Sequence, residues 1–63
     1  MTTTERTVLQ AEIAILSLSQ LEADHALAVK MFRLAPAESV ENWREAATIY
    51  AREIAVREPL RAR

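Results

Sequence analysis

The chain has 63 residues, with eight basic and nine acidic side chains, a formal net charge of −1, no cysteine and no glycine. A core of this size is marginal without a staple, and the absence of cysteine excludes both disulfides and thiolate-held zinc, so a partner subunit is the remaining common source of stability. The balanced charge excludes a global basic footprint for nucleic acid: residues 1–34 hold four acids and three bases, and residues 35–63 hold five of each.

In chain order, the first signal is Thr2 followed by Glu5. That spacing is a capping box, in which the threonine oxygen and the glutamate carboxylate satisfy each other's free backbone donors. It predicts a helix starting there, and the alanine, leucine, glutamate and arginine that follow are strong helix formers. Pro36 forces Ala35 away from helical angles, so this helix is expected over residues 3–33 with a turn at about 34–36. Pro36 also fits the first turn of a second helix, where its missing donor costs nothing, and Glu38 suits the positive helix end. Ser39 is a rival cap. The second helix is expected over about 37–57, stopped by Pro59, with a short C-terminal tail whose Arg57, Arg61 and Arg63 read as a solvated terminus. The predicted architecture is therefore all-α, one domain over residues 1–63, an antiparallel two-helix hairpin that completes a bundle with a partner chain.

The apolar pattern divides each helix into faces. At about 100° per residue, Ala11, Ala14, Leu18, Leu21, His25, Ala28 and Phe32 form one stripe of the first helix. Trp43, Ala47, Tyr50 and Ile54 form its counterpart on the second. Folding at Ala35–Pro36 sets large residues of one stripe against small ones of the other, so Leu18, Leu21, His25, Phe32, Trp43, Tyr50 and Ile54 are the expected hairpin core. A second stripe, Leu9, Ile13, Leu16, Leu27, Met31 and Leu34, lies roughly 150° away by the same wheel. A hairpin buries one face of each helix, which would leave these six in water; such a patch marks an interface, and they are the expected partner-binding residues. Length adds to this expectation. A first helix of about 30 residues spans roughly 45 Å and the second only about 31 Å, so the first three turns outrun their partner.

Chemistry is sparse. Glu22-Ala-Asp-His25 has the Glu-x-x-His spacing of helical carboxylate metal sites, but such a site needs further glutamates directed inward from neighbouring helices. The residues expected opposite His25 are Ala47 and Tyr50, and Glu41, Glu45 and Glu53 lie off the core stripe. No metal or other cofactor is expected, and His25 reads as a partly buried residue sharing a hydrogen bond with Tyr50 or solvent. No nucleophile–base pair, phosphate loop or paired carboxylate is evident, so the chain is not expected to be an enzyme. Trp43 and Tyr50 with nearby arginines admit a base-stacking reading, which their heptad spacing disfavours. The run Ile13–Leu21 is too short to span a membrane, and the opening residues lack the basic flank of a signal peptide. With no cysteine, a reducing, cytoplasmic setting is expected.

The order of residues resembles the small co-chaperones of type III secretion needle subunits, the YscE-like family of helical hairpins. The likeness is carried by the opening Met-Thr-Thr-Thr-Glu, by Glu12, Gln20-Leu21-Glu22, Lys30, Met31-Phe32-Arg33, and Trp43 followed by Tyr50 and Ile54-Ala55. It covers nearly the whole chain, with Leu34-Ala-Pro-Ala-Glu38 where the family has glycines in its turn. The resemblance implies a bacterial, cytoplasmic co-chaperone that pairs with a larger helical-repeat chaperone to keep the needle subunit soluble, the spare stripe of the first helix docking on that chaperone. The first ten residues also look like the start of the Rop-type plasmid RNA-binding hairpin, a homodimeric four-helix bundle. That family carries an aromatic and a basic residue on its RNA-facing surface where this chain has Ala14 and His25, so binding to nucleic acid is not expected. A small phage or plasmid inhibitor protein is a third reading.

Overall fold

The computed structural model describes the backbone of residues 1–61 and the side chains of residues 1–58. It is all-helical, and the described residues form three helices rather than two: α1 (Thr3–Ala14), α2 (Leu18–Leu34) and α3 (Val40–Arg61), with no strand among them. The expected first helix is broken at Ile15–Ser17.

The start of α1 follows its sequence signal. Thr2 is the N-cap, its hydroxyl accepts from the Glu5 N–H (3.1 Å), and the Glu5 carboxylate accepts from the Thr2 N–H (3.2 Å). That bond from Thr2 holds the Glu5 carboxyl below the usual carboxylate range. The end of α1 does not follow from a proline or glycine. The Ile15 and Leu16 N–H groups close tight turns onto Glu12 and Ile13 (both 3.2 Å), and Ser17 is extended at φ −71°, ψ 161°. The Ser17 hydroxyl then accepts from the Gln20 N–H (3.1 Å) and caps a new helix. Ser17-x-x-Gln20 is thus an internal N-terminal signal of the same type as Thr2-x-x-Glu5. The glutamine side chain does not return to the cap; it donates to Asp24 instead (3.0 Å).

At Pro36 the chain behaves as expected on one side and not on the other. Ala35 is extended at φ −69°, ψ 143°, which ends α2. The second helix, however, begins at Val40 and not at residue 37. The Pro36 carbonyl accepts from both Ser39 (3.0 Å) and Val40 (3.1 Å), so residues 37–39 form a turn and Ser39 becomes the entry to α3. At the other end α3 continues past Pro59 to Arg61. The proline ring fixes φ in the helical range, so the backbone runs on and loses the bond that residue 59 would donate to the Ala55 carbonyl. No separate tail precedes Arg61; of the arginines expected to be solvated, Arg57 is half-buried and bonded to the end of α1, and Arg61 and Arg63 lie outside the described side chains.

The break lets α1 fold back. Arg6 on α1 meets Glu45 on α3, while the end of α1 meets Arg57, so α1 runs parallel to α3. The five-residue connection, 35–39, turns α3 antiparallel to α2, and Leu18 and Glu22 at the start of α2 share a depression with Arg57. α3 packs along α2 and more sparingly on α1, in a flat body of 41 × 24 × 14 Å. Among the described residues the buried apolar side chains are Ile13, Leu21, Ala28 and Ala46, with Leu21 at 0 % exposure.

Two expectations about the core change. Ile13, expected on the partner-facing stripe, is buried at 4 % exposure, because the bend turns its face onto the other helices. Phe32, expected in the hairpin core, is 38 % exposed, since it sits in the last turn of α2, where only the short 35–39 connection lies beyond it. Leu18, His25, Trp43, Tyr50 and Ile54 are half-buried. This distribution orders the cost of truncation. Leu21→Ala empties the best-packed position and should cost about 2–5 kcal/mol, a large share of the stability of so small a chain. Phe32→Ala, which removes a side chain already in contact with water, should cost clearly less. Urea denaturation followed by circular dichroism checks the order; equal losses would contradict the burial pattern.

Candidate protein-binding surface

The six residues expected to bind a partner do not form one surface. A stripe drawn over residues 9–34 assumes one helical phase, and the bend at Ile15–Ser17 resets that phase. Leu9 and Leu16 are half-buried and Ile13 is in the core. The half of the stripe within α2 stays together. Leu27, Met31 and Leu34 follow one another at spacings of four and three on an unbroken helix, and therefore share a face. Leu27 is 55 % exposed, Leu34 is 70 % exposed, and Met31 is half-buried between them. Lys30 and Arg33 are exposed beside them, giving this face a positive margin.

Val8, in the first turns expected to outrun the second helix, is 50 % exposed, and sequence reasoning missed two further exposed apolar residues, Ile15 at the α1 junction and Val56 on α3. Ile15 is the most exposed of them, at 86 %. The wheel gives it no role, because it lies between the two stripes; only the break at Ser17 makes it prominent.

The polar groups are arranged around α1. The Arg57 guanidinium donates to the carbonyls of Ile13 (2.8 Å), Ala14 (3.4 Å) and Leu16, and its Nε donates to Glu53 (3.0 Å). The last carbonyls of a helix have no partner within the helix and carry the negative end of its dipole. α1 has no basic residue in its own last turn, so α3 supplies the cation from outside. At the other end of α1, Arg6 bonds Glu45 through Nε (3.2 Å) and a terminal nitrogen (3.0 Å), and the Met1 ammonium donates to Asn42 and lies 3.7 Å from Glu45. These pairs are half-exposed, and pairs of that kind contribute about 0–1 kcal/mol each.

Glu22 and His25 both lie on α2, His25 half-buried, and no hydrogen bond joins His25 to Tyr50 among the described residues. No cluster of three or more histidine, aspartate or glutamate side chains that could hold a metal occurs among the described residues. No helix there is long and apolar enough to cross a membrane. The grooves beside α1 are lined by charges of both signs, Arg6, Arg44 and Arg52 facing Glu41 and Glu45 in one of them. Compared with known proteins, the chain matches no family model, no curated protein and no solved structure.

Tyr50 is where all three helices make an electrostatic mark. Burial raises the phenol above its ordinary value, and the carboxylates of Asp24 on α2 and Glu12 on α1 add to the rise. A raised folded value means that the unfolded chain loses this proton first. The associated stability is fully present below the ordinary tyrosine range, near pH 10, and is lost as pH rises through the folded value. Urea midpoints should therefore fall between pH 9 and pH 11 by more in the parent than in Tyr50→Phe. The same fall in both proteins would show that the phenol is not involved.

Proposed function

We propose that the chain is a non-enzymatic protein-binding module whose contact surface is the outer face of α2. The observation that carries this reading is the Leu27–Met31–Leu34 face, left in water by a chain that fully buries only a handful of apolar residues. Large apolar side chains clustered on one helix face are the pattern of a surface completed by another helix. Methionine at its centre suits such a surface, because its flexible thioether adapts to the partner. In this reading the α2–α3 hairpin supplies two helices of a bundle that the partner finishes.

The resemblance to the YscE-like co-chaperones gives the partner a form. Met31, from one of the stretches that carries the likeness, lies at the centre of this face. The proposed role is to pair with a helical-repeat chaperone in the bacterial cytoplasm and help to keep a type III secretion needle subunit soluble. Ile13, which that resemblance would have placed in the contact, is a core residue here, so the proposed contact is confined to α2.

The test is co-expression with a helical-repeat chaperone of that secretion class and its needle subunit, followed by co-purification. The parent should be retained. Leu27→Asp and Leu34→Asp each lose an apolar contact of roughly 1.5–3 kcal/mol and force a carboxylate into it, so retention should fall by at least tenfold while helicity is unchanged. Ile13→Asp serves as the contrast, since it should unfold the chain. Undiminished retention of both leucine variants would rule the α2 face out.

A further inference from the structure

The bend that separates α1 from α2 is not enforced by the residues that make it. Ala14-Ile-Leu-Ser-Leu18 contains no proline or glycine, and Ile15, at φ −100° and ψ −4°, is still close to helical. Ser17 is extended, but serine is tolerated inside a helix. What holds the bend is a set of contacts on α3. Arg57 takes the carbonyls of Ile13, Ala14 and Leu16, Glu45 takes Arg6, and Ile13 is the one α1 side chain that is fully buried. An element attached through a short, unstrained-when-straight hinge and a small interface is the kind that exchanges between copies.

We infer that α1 is exchanged between two copies of this chain: residues 3–34 straighten into one helix, and α1 of each copy packs on α3 of the other. The directions of the helices permit this. In the single chain α1 is parallel to α3 and antiparallel to α2. In the straightened chain α1 continues the direction of α2 and passes beyond the end of its own α3. A second copy related by a two-fold axis across the long helix presents its α3 parallel, and its α2 antiparallel, to the first copy's α1, so the Arg6–Glu45 pair and the packing of Ile13 re-form with the partner, while the Ile13, Ala14 and Leu16 carbonyls accept from N–H groups of the straight helix in place of Arg57. The straight helix spans about 48 Å, against about 33 Å for α3, which leaves α1 free to reach across. The axis passes beside the two hinges. Ile15, 86 % exposed in the single chain, then lies near its copy and gains cover. This surface is separate from the α2 face proposed above, and the occupant is a second copy of the chain.

Because the chain has no cysteine, cross-linking gives a clean test. Arg6→Cys and Glu45→Cys place thiols on a contact that is intrachain in the folded-back form and interchain after exchange. The doubly substituted chain is treated with a short bis-maleimide across a concentration series and the products are resolved by denaturing electrophoresis. The expected result is a covalent dimer that grows with protein concentration. Ser17→Ala removes the cap of α2 and favours a straight helix, so it should lower the concentration needed for half-dimer on the order of tenfold or more, since each dimer contains two hinges. Ser17→Pro fits the observed φ but breaks a continuous helix, and should give intrachain product only. Intrachain product at every concentration in the Ser17→Ala background would overturn the inference. So would a dimer by light scattering whose cross-links are all intrachain; that outcome would place self-association on another face and leave the α2 reading intact.

Discussion

Arg57 is the contact on which the arrangement of the helices turns. Its planar fork can serve several acceptors at once, and here it closes the carbonyl end of α1 from a helix forty residues away in sequence. An uncapped helix end in the middle of a run of helix formers would extend into the next turn. Three bonds from one guanidinium make stopping at Ile15 tolerable, and the Ser17 hydroxyl then starts α2. Glu53 holds the guanidinium in place from one turn earlier on α3, and the pair is part-buried, which reduces the screening of its charge.

The thin core follows from that geometry. Three helices in a flat layer have few positions enclosed on all sides, and among the described residues these are Ile13, Leu21, Ala28 and Ala46. Two of these are alanines, which let the backbones approach but bury little area. Larger apolar side chains end up at edges and outer faces, and the Leu27–Met31–Leu34 face is one result. The same economy makes α1 the least firmly held element: one buried side chain, one capping arginine and a pair of half-exposed ionic contacts fix it. The proposed binding face and the inferred exchange of α1 therefore share an origin, a chain too short to cover its own apolar surface.

Much of the fold was legible in the sequence where a signal was local. The all-helical class, the Thr2–Glu5 start and the break at Ala35–Pro36 rest on capping chemistry and on proline's steric demands, which act within a few residues. The bend at Ile15–Ser17 was half legible. Ser17-x-x-Gln20 has the spacing of a helix start, but no residue before it forbids helix, and the deciding partner is Arg57. A contact between residues 41 and 44 positions apart leaves no trace in a helical wheel. Once the phase was reset, the long stripe split and Ile13 passed from surface to core. Pro59 misled in the opposite sense, because a proline near a helix end removes one bond without forcing a stop. Phe32 lies in the expected helix but in its last turn, beside the 35–39 connection, where few side chains remain to enclose it.

The central claim is that Arg57 holds the bend, and backbone chemical shifts of a ¹³C,¹⁵N-labelled sample at low concentration test it most directly. In the parent, the Leu16 and Ser17 carbons should lie at non-helical values, between helical values for Thr3–Ala14 and Leu18–Leu34. In Arg57→Met, which keeps much of the side-chain volume but none of the donors, the shifts of Leu16 and Ser17 should move to helical values and the close contacts between α1 and α3 should disappear. If both residues keep non-helical shifts in that variant, with the α1–α3 contacts intact, the bend is set by something other than the capping of α1 by Arg57.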